Sequence, residues 1–271
     1  MDKLHRWSVP ALTEWPNEDA VFASLGASVV VDGAGLPQSM RAGCHHSVSW
    51  YSKELARRFG TALLDVGLTM RQALSRSITE VSELHGSCNL ADGSPSATVA
   101  AWRLQPPLIE YLVLCDASVL VALREEAVEI TDDRLSTLLA KQVGPDGATR
   151  RSASEIQQAR AEILQRRRNV DDGYWCCQTD PIAADHALSG AYPLSDVLGI
   201  VIATDGATRG FQSLQAHTMQ EFVSRAASGD GAALLDEVRA AERGQRQKLR
   251  DNAMKVHDDA TLVTLNLAGH D

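Results

Sequence analysis

Ser28-Val29-Val30-Val31-Asp32-Gly33-Ala34-Gly35 decides how this chain is read. A short β-branched run stops at an aspartate, and two glycines follow within three residues. β-branched residues suit an extended, buried strand. Glycines directly after it mark backbone that turns sharply or approaches something closely. A single carboxylate at a strand end is commonly a turn former. The arrangement recurs, however. Glu18-Asp19 precedes the apolar run 21–25, Asp205-Gly206 follows the run 197–203, and Asp258-Asp259 precedes the run 260–266. Four such acidic stations gathered at one sheet edge would repel strongly, and a cation removes that cost. All-oxygen donors suit hard divalent ions, Mg²⁺ or Mn²⁺, rather than zinc.

Outward from this stretch, Gly26 separates the runs 21–25 and 28–31 and suits a tight hairpin. Leu55, Phe59, Ala62, Leu63 and Val66 recur at helical spacing, with Gly67 at the stop position. Thr69 with Gln72 reads as a capping box for a second helix, with the stripe Met70, Ala73, Leu74, Ile78, Val81 and Leu84. Residues 98–103, 111–115 and 118–123 are short β-branched or aromatic runs and read as an antiparallel meander. Gly144-Pro145-Asp146-Gly147 marks a loop. Ser152 with Glu155 opens a short helix that ends in the basic run Arg166-Arg167-Arg168. Helical segments follow around 219–226 and 232–241. Strands in two blocks with helical pairs between them favour antiparallel sheets covered by helices, an α+β fold.

Composition narrows the function classes. The 271 residues are 44% hydrophobic and 23% charged, with a net charge of −9. An acidic chain of this kind predicts no nucleic-acid partner, because that binding rests on neutralising phosphates with Lys and Arg. No apolar run approaches the ~20 residues that span a bilayer, and the first residues lack the apolar centre of a signal peptide. The expectation is a cytoplasmic protein with no membrane partner. Cys44, Cys88, Cys115, Cys176 and Cys177 show no zinc-type C-x-x-C spacing and read as buried thiols of a reducing compartment. The adjacent pair Cys176-Cys177 reads as packing before redox chemistry.

Asn17-Glu18-Asp19-Ala20, Val31-Asp32-Gly33-Ala34-Gly35, Ala203-Thr204-Asp205-Gly206 and Asp258-Asp259-Ala260-Thr261 resemble, in order and spacing, the acidic motifs of the PPM (type-2C) protein serine/threonine phosphatases of bacterial type. Residues 94–103 resemble that family's Ser/Thr-rich strand start, and Leu114-Cys115-Asp116-Ala117-Ser118 its central Gly-Asp-Ser turn. The resemblance spans about residues 12–267. It implies one domain over residues 1–271, built as a four-layer α-β-β-α sandwich: two antiparallel sheets flanked by helices. It also implies a variable flap about 141–180 beside the active site and a monomeric enzyme. The implied reaction is hydrolysis of phosphoserine or phosphothreonine in a phosphorylated protein substrate by water activated by two Mn²⁺ or Mg²⁺ ions. Asp32, Asp205 and Asp258 would carry the chemistry. Asp19, Asp32, the Gly33 carbonyl, Asp205 and Asp258 would hold the ions, with Asp116 at a third, weaker site. Glu18 and Asp259 would stand behind them.

Three positions depart from the family pattern. Glu14 stands where many members carry a phosphate-binding Arg; Arg41, Arg166 and Arg167 are the candidate replacements. Ala34 stands where some members carry a His, although His45 and His46 lie nearby and read as surface or helix-start residues. Ala207-Thr208-Arg209 follows the late Asp-Gly in place of an acidic residue, which weakens the third site. A weakly active or inactive PPM-fold regulatory or binding protein, and a phosphatase of a small phosphate ester, are the alternatives.

Overall fold

The structure, a computed structural model, describes residues 3–34, 41–143 and 152–267. The described residues form ten strands in two antiparallel sheets. Strands β1 (Lys3–Val9), β6 (Ser118–Leu123), β7 (Ala127–Thr131), β9 (Val197–Ala203) and β10 (Ala260–Asn266) make one sheet, in the order β1-β10-β9-β6-β7. Strands β2 (Ala20–Ala23), β3 (Ala27–Gly33), β4 (Ala97–Gln105), β5 (Leu108–Leu114) and β8 (Leu188–Pro193) make the other, in the order β2-β3-β4-β5-β8. Helices α1 (Val48–Leu63) and α2 (Met70–Glu83) cover the second sheet. Helices α5 (Asp205–Gln212), α6 (Met219–Ala227) and α7 (Gly231–Gly244) cover the first.

This layering explains the strand sequences. Antiparallel strands usually alternate apolar and polar residues because one face meets water. Here the central strands are apolar on both faces. Val29 and Val31 of β3 pack under α1 and α2, while Val30 between them enters the core between the sheets. On β9, Ile200 and Ile202 face the inter-sheet core while Val201 and Ala203 meet the helices. Trp102, fully buried, fills the middle of that core with Val113, Val119 and Val263. Each fully buried aliphatic side chain of this kind contributes roughly 1.5–3 kcal/mol. The α-β-β-α sandwich expected from the sequence is therefore the observed fold.

Local signals hold at α2, where Thr69 and Gln72 form both halves of the capping box. Helix α1 stops earlier than Gly67 suggests. The Asp65 carboxylate accepts from the Gly67 amide at 3.0 Å, a side-chain turn that competes with helix, and Val66 is left exposed. Leu84, the last residue of the expected α2 stripe, is the C-cap and is also exposed.

The central meander is a correction. Strands β4 and β5 pair, but β6 leaves their sheet and pairs with β7 and β9 in the other. The cause lies at Cys115, whose positive φ of 65° turns the chain out of the sheet before Asp116. Strands β1, β7 and β8 were not expected from the sequence, nor were α5, α8 (Arg246–Asp251) and α3 (Arg134–Val143). Helix α3 packs with α4 (Ala153–Arg166) over the end of the sandwich, through Leu135, Leu138, Ile163 and Leu164. Gly35 and the loop Gly144-Pro145-Asp146-Gly147 lie outside the described residues.

Candidate functional site

Strand register places the acidic residues at one end of both sheets. Ala203 lies opposite both Leu262 and Ser118, which levels the end of β9 with the starts of β6 and β10, and in the other sheet Gly33 ends β3 opposite Ala97 at the start of β4. Asp32 is the penultimate residue of β3. Asp116 occupies the crossing from β5 to β6. Asp205 is the first residue of α5, directly off β9, and Asp258 lies just before β10. All four border one cavity of about 350 Å³, together with Gly33. Its opposite wall is the α3–α4 pair, contributing Leu135, Leu139 and Leu164.

Gathering carboxyls in a buried place costs ionisation. Burial pushes the Asp32 carboxyl well above its ordinary range, and Asp19, Asp205, Asp258 and Asp116 push it further. Burial raises Asp205 to about 7, with Asp258 and Asp116 adding to the effect. Asp116 is raised mainly by burial as well. Asp19 reaches about 8 through burial, although hydrogen bonds from Thr261 and Thr204 oppose the shift. Asp19 does not border the cavity. It lies behind Asp32, on a separate cleft with Ser8 and Lys53.

The two outer residues behave differently. Asp259 accepts the Ala11 and Glu18 amides at 2.7 Å each, which ties the segment before β2 to the start of β10. Glu18 is raised by burial, with Lys255 pulling the other way. Neither borders the cavity. Gly206 is required by close approach: a Cβ there would stand 1.9 Å from the Asp259 carbonyl oxygen. That contact presses the start of α5 against the Asp258-Asp259 turn.

Three cationic residues at the cavity were not singled out from the sequence. Arg160 of α4 donates through Nη1 to the Ala253 carbonyl at 2.7 Å, and its buried Nε has no partner among the described residues. Lys255 Nζ bonds Asp258 Oδ1 at 2.8 Å. Its amine is held protonated above its usual range: desolvation opposes the charge, and Asp258, Asp32 and Asp205 outweigh that opposition. Arg209 donates to Glu242 at 3.0 Å and to the Lys255 carbonyl at 3.2 Å. A sequence signal existed for Arg160. It lies four residues after Ile156 and three before Ile163, on the inward face of its helix.

Of the expected phosphate-binding arginines, Arg41 interacts with Glu18, and its buried Nε has no partner among the described residues. Arg166 and Arg167 do not border the cavity, and Arg167 donates instead to the Asp172 carbonyl at 2.6 Å. Glu14 is exposed and accepts from the Thr13 hydroxyl.

The donors fit divalent cations on one observation above the rest. Asp19 Oδ1 is buried and finds no hydrogen-bond partner among the described residues. A buried carboxylate oxygen without a partner, close to other raised carboxyls, is one whose hydrogen-bonding need a hard cation would meet.

No protein-family model matches the sequence, and no curated protein sequence matches it. Solved structures do match in shape. The chain is similar to the serine/threonine phosphatase PstP/Ppp of Mycobacterium tuberculosis, with 13% identity, a TM-score of 0.60 and 98% of each chain covered. It is similar to the PPM Ser-Thr phosphatase MsPP of Mycobacterium smegmatis, with 14% identity, a TM-score of 0.56 and 97% of each chain covered. A structure of the PstP catalytic domain in complex with two manganese ions matches at 14% identity and a TM-score of 0.58, over 98% of this chain and 97% of that one. Two five-stranded antiparallel sheets between helical layers, matched over nearly the whole length, give this chain the fold of the PPM serine/threonine phosphatases.

Proposed function

We propose that the chain is a metal-dependent phosphatase that hydrolyses phosphoserine or phosphothreonine in proteins. One observation carries the reading: Asp32, Asp116, Asp205 and Asp258 come from both sheets to one cavity wall, with the orphaned Asp19 Oδ1 behind them. Asp32, the Gly33 carbonyl, Asp205, Asp258 and Asp19 are the residues that would hold two divalent ions, and Asp116 with Asp205 a weaker third. The manganese in a structural relative supports Mn²⁺ as the occupant. Such ions supply Lewis acidity, which makes water nucleophilic at neutral pH and offsets charge on the phosphoryl oxygens.

The chain's own residues do the rest. Arg160 borders the cavity with only its Nη1 committed among the described residues, to the Ala253 carbonyl, and its guanidinium would offer a phosphoryl oxygen a charge-assisted bond. Leu135, Leu139 and Leu164 exclude water on the flap side and offer apolar contact to residues flanking the phosphorylated one. Lys255 balances part of the carboxylate charge through Asp258. The reaction exchanges the ester P–O bond for one to water and releases the free hydroxyl and inorganic phosphate.

A second reading, a phosphoprotein-binding module without turnover, is favoured by the Lys255–Asp258 ion pair and by Glu14, which replaces a phosphate-binding cation. Calorimetric titration with Mn²⁺ beside an assay on phosphopeptides and an aryl phosphate separates the two. Turnover that requires Mn²⁺ supports the phosphatase. Binding of Mn²⁺ and phosphopeptide with no release of phosphate rejects it.

A further inference from the structure

Outside the acidic cavity, a second group of metal-ligating side chains has formed from distant parts of the chain. Cys44 and His46 lie just before α1, and Cys88 lies just after α2. Among the described residues, these are the three whose donor atoms all lie within 4.8 Å of one another. The edges are 3.6 Å between the two sulfurs, 3.5 Å from Cys44 Sγ to His46 Nδ1, and 3.5 Å from Cys88 Sγ to His46 Nδ1. Zinc–sulfur and zinc–nitrogen bonds at the tetrahedral angle give edges of about 3.8 Å for S···S and about 3.5 Å for S···N. The observed triangle has those dimensions. His45 Nδ1 lies 3.3 Å from Cys88 Sγ but outside this set of mutually close donors.

We propose that Cys44, His46 and Cys88 form a zinc site that fastens the start of α1 to the end of α2, with a water molecule as the fourth ligand.

Backbone packing prepares the site. The Asn89 amide donates to the Gly43 carbonyl at 2.9 Å, and the Gly43 amide donates to Asp92 at 3.2 Å. A Cβ on Gly43 would stand 1.9 Å from the Asn89 oxygen, so only glycine lets these two strands of backbone meet. The residues that follow Gly43 and precede Asn89 are Cys44 and Cys88, and the close approach is what brings their sulfurs together. The His46 imidazole is stacked on Trp50 at 3.9 Å and meets the edge of His85 at 4.9 Å, which sets its orientation. The His46 amide donates to Cys44 Sγ at 3.3 Å, which helps fix the position of that sulfur. Two thiolates and an imidazole select zinc over the hard ions that suit the aspartates. Binding releases the two thiol protons to solvent and leaves no net charge at the site.

His46 Nδ1, 3.5 Å from each of the two sulfurs, distinguishes this cluster from a disulfide precursor, which needs the two cysteines alone. The test uses the full chain, stripped by chelator under reducing conditions. Co²⁺ is expected to produce a sulfur-to-cobalt charge-transfer band that saturates at one equivalent, and zinc to abolish it. Oxygen ligands give no such band, so Asp32→Asn retains it. Cys88→Ser loses the band, and His46→Gln, a milder change, weakens zinc binding by at least about tenfold. Zinc is also expected to raise the unfolding temperature of the unmutated chain. Absence of the thiolate–cobalt band in the folded, reduced chain overturns the proposal, as does a band unchanged in both variants.

Discussion

The Thr204 hydroxyl donates to Asp19 Oδ2 at 3.0 Å and accepts the Thr261 amide at 3.0 Å. One buried oxygen thus ties the end of β9 to the starts of β2 and β10, joining both sheets at the cavity end. Thr204→Val keeps the shape and removes both bonds, leaving a buried amide unpaired. It should cost about 1–3 kcal/mol of stability, read by urea denaturation.

Burial, and then Asp19, Asp205, Asp258 and Asp116, make Asp32 hard to ionise. Asp32→Asn should therefore raise the unfolding temperature of the ion-free chain, because it removes the cost of burying an ionisable carboxyl among others. The same change should abolish the stabilisation by Mn²⁺ and lower phosphatase turnover by at least about a hundredfold. Calorimetry with and without Mn²⁺, beside an aryl phosphate assay, reads all three. Full turnover in the variant would remove Asp32 from the centre.

Without ions, Asp19 titrates at about 8 and Asp205 at about 7 in the folded chain, against an ordinary 3.8 when unfolded. Between these limits the folded state holds protons that the unfolded state has lost. Stability of the ion-free chain should fall as pH rises from about 4 to 8, by up to about 1.4 kcal/mol per pH unit for each such proton. Mn²⁺ requires the ionised form, so its stabilising effect should grow over the same window. Unfolding midpoints at pH 5 and pH 8, with and without Mn²⁺, check the sign.

Arg160 of α4 borders the cavity and keeps its Nε without a partner among the described residues. Arg160→Leu should raise KM for a phosphate ester by roughly tenfold or more, the worth of one charge-assisted bond. Inhibition by inorganic phosphate should weaken in parallel. Arg166→Leu, outside the cavity, should change neither.

Gly206 has no space for a methyl group against the Asp259 carbonyl. Gly206→Ala must separate α5 from the turn before β10. The expected cost is about 1–3 kcal/mol in stability, with weaker Mn²⁺ affinity because Asp205 and Asp258 move apart. Thermal unfolding and Mn²⁺ titration measure the two effects separately.

What could be read without coordinates was whatever the chain states locally. The apolar runs at β3, β9 and β10, the capping box at Thr69 and Gln72, and the aspartates at strand ends depend on neighbours a few residues away. Together they specified two antiparallel sheets under helices and named the carboxyls Asp32, Asp205 and Asp258 that share a cavity. Only the tertiary structure decided what depends on distant contact. It moved β6 to the other sheet through the turn at Cys115, because strand partners are chosen by burial of both faces. It brought Arg160 and Lys255 to the acidic wall and set Arg166 and Arg167 apart from it, because a helix face is oriented by what it packs on. It placed Cys88 beside Cys44 and His46 across 44 positions, a proximity that sequence spacing cannot express.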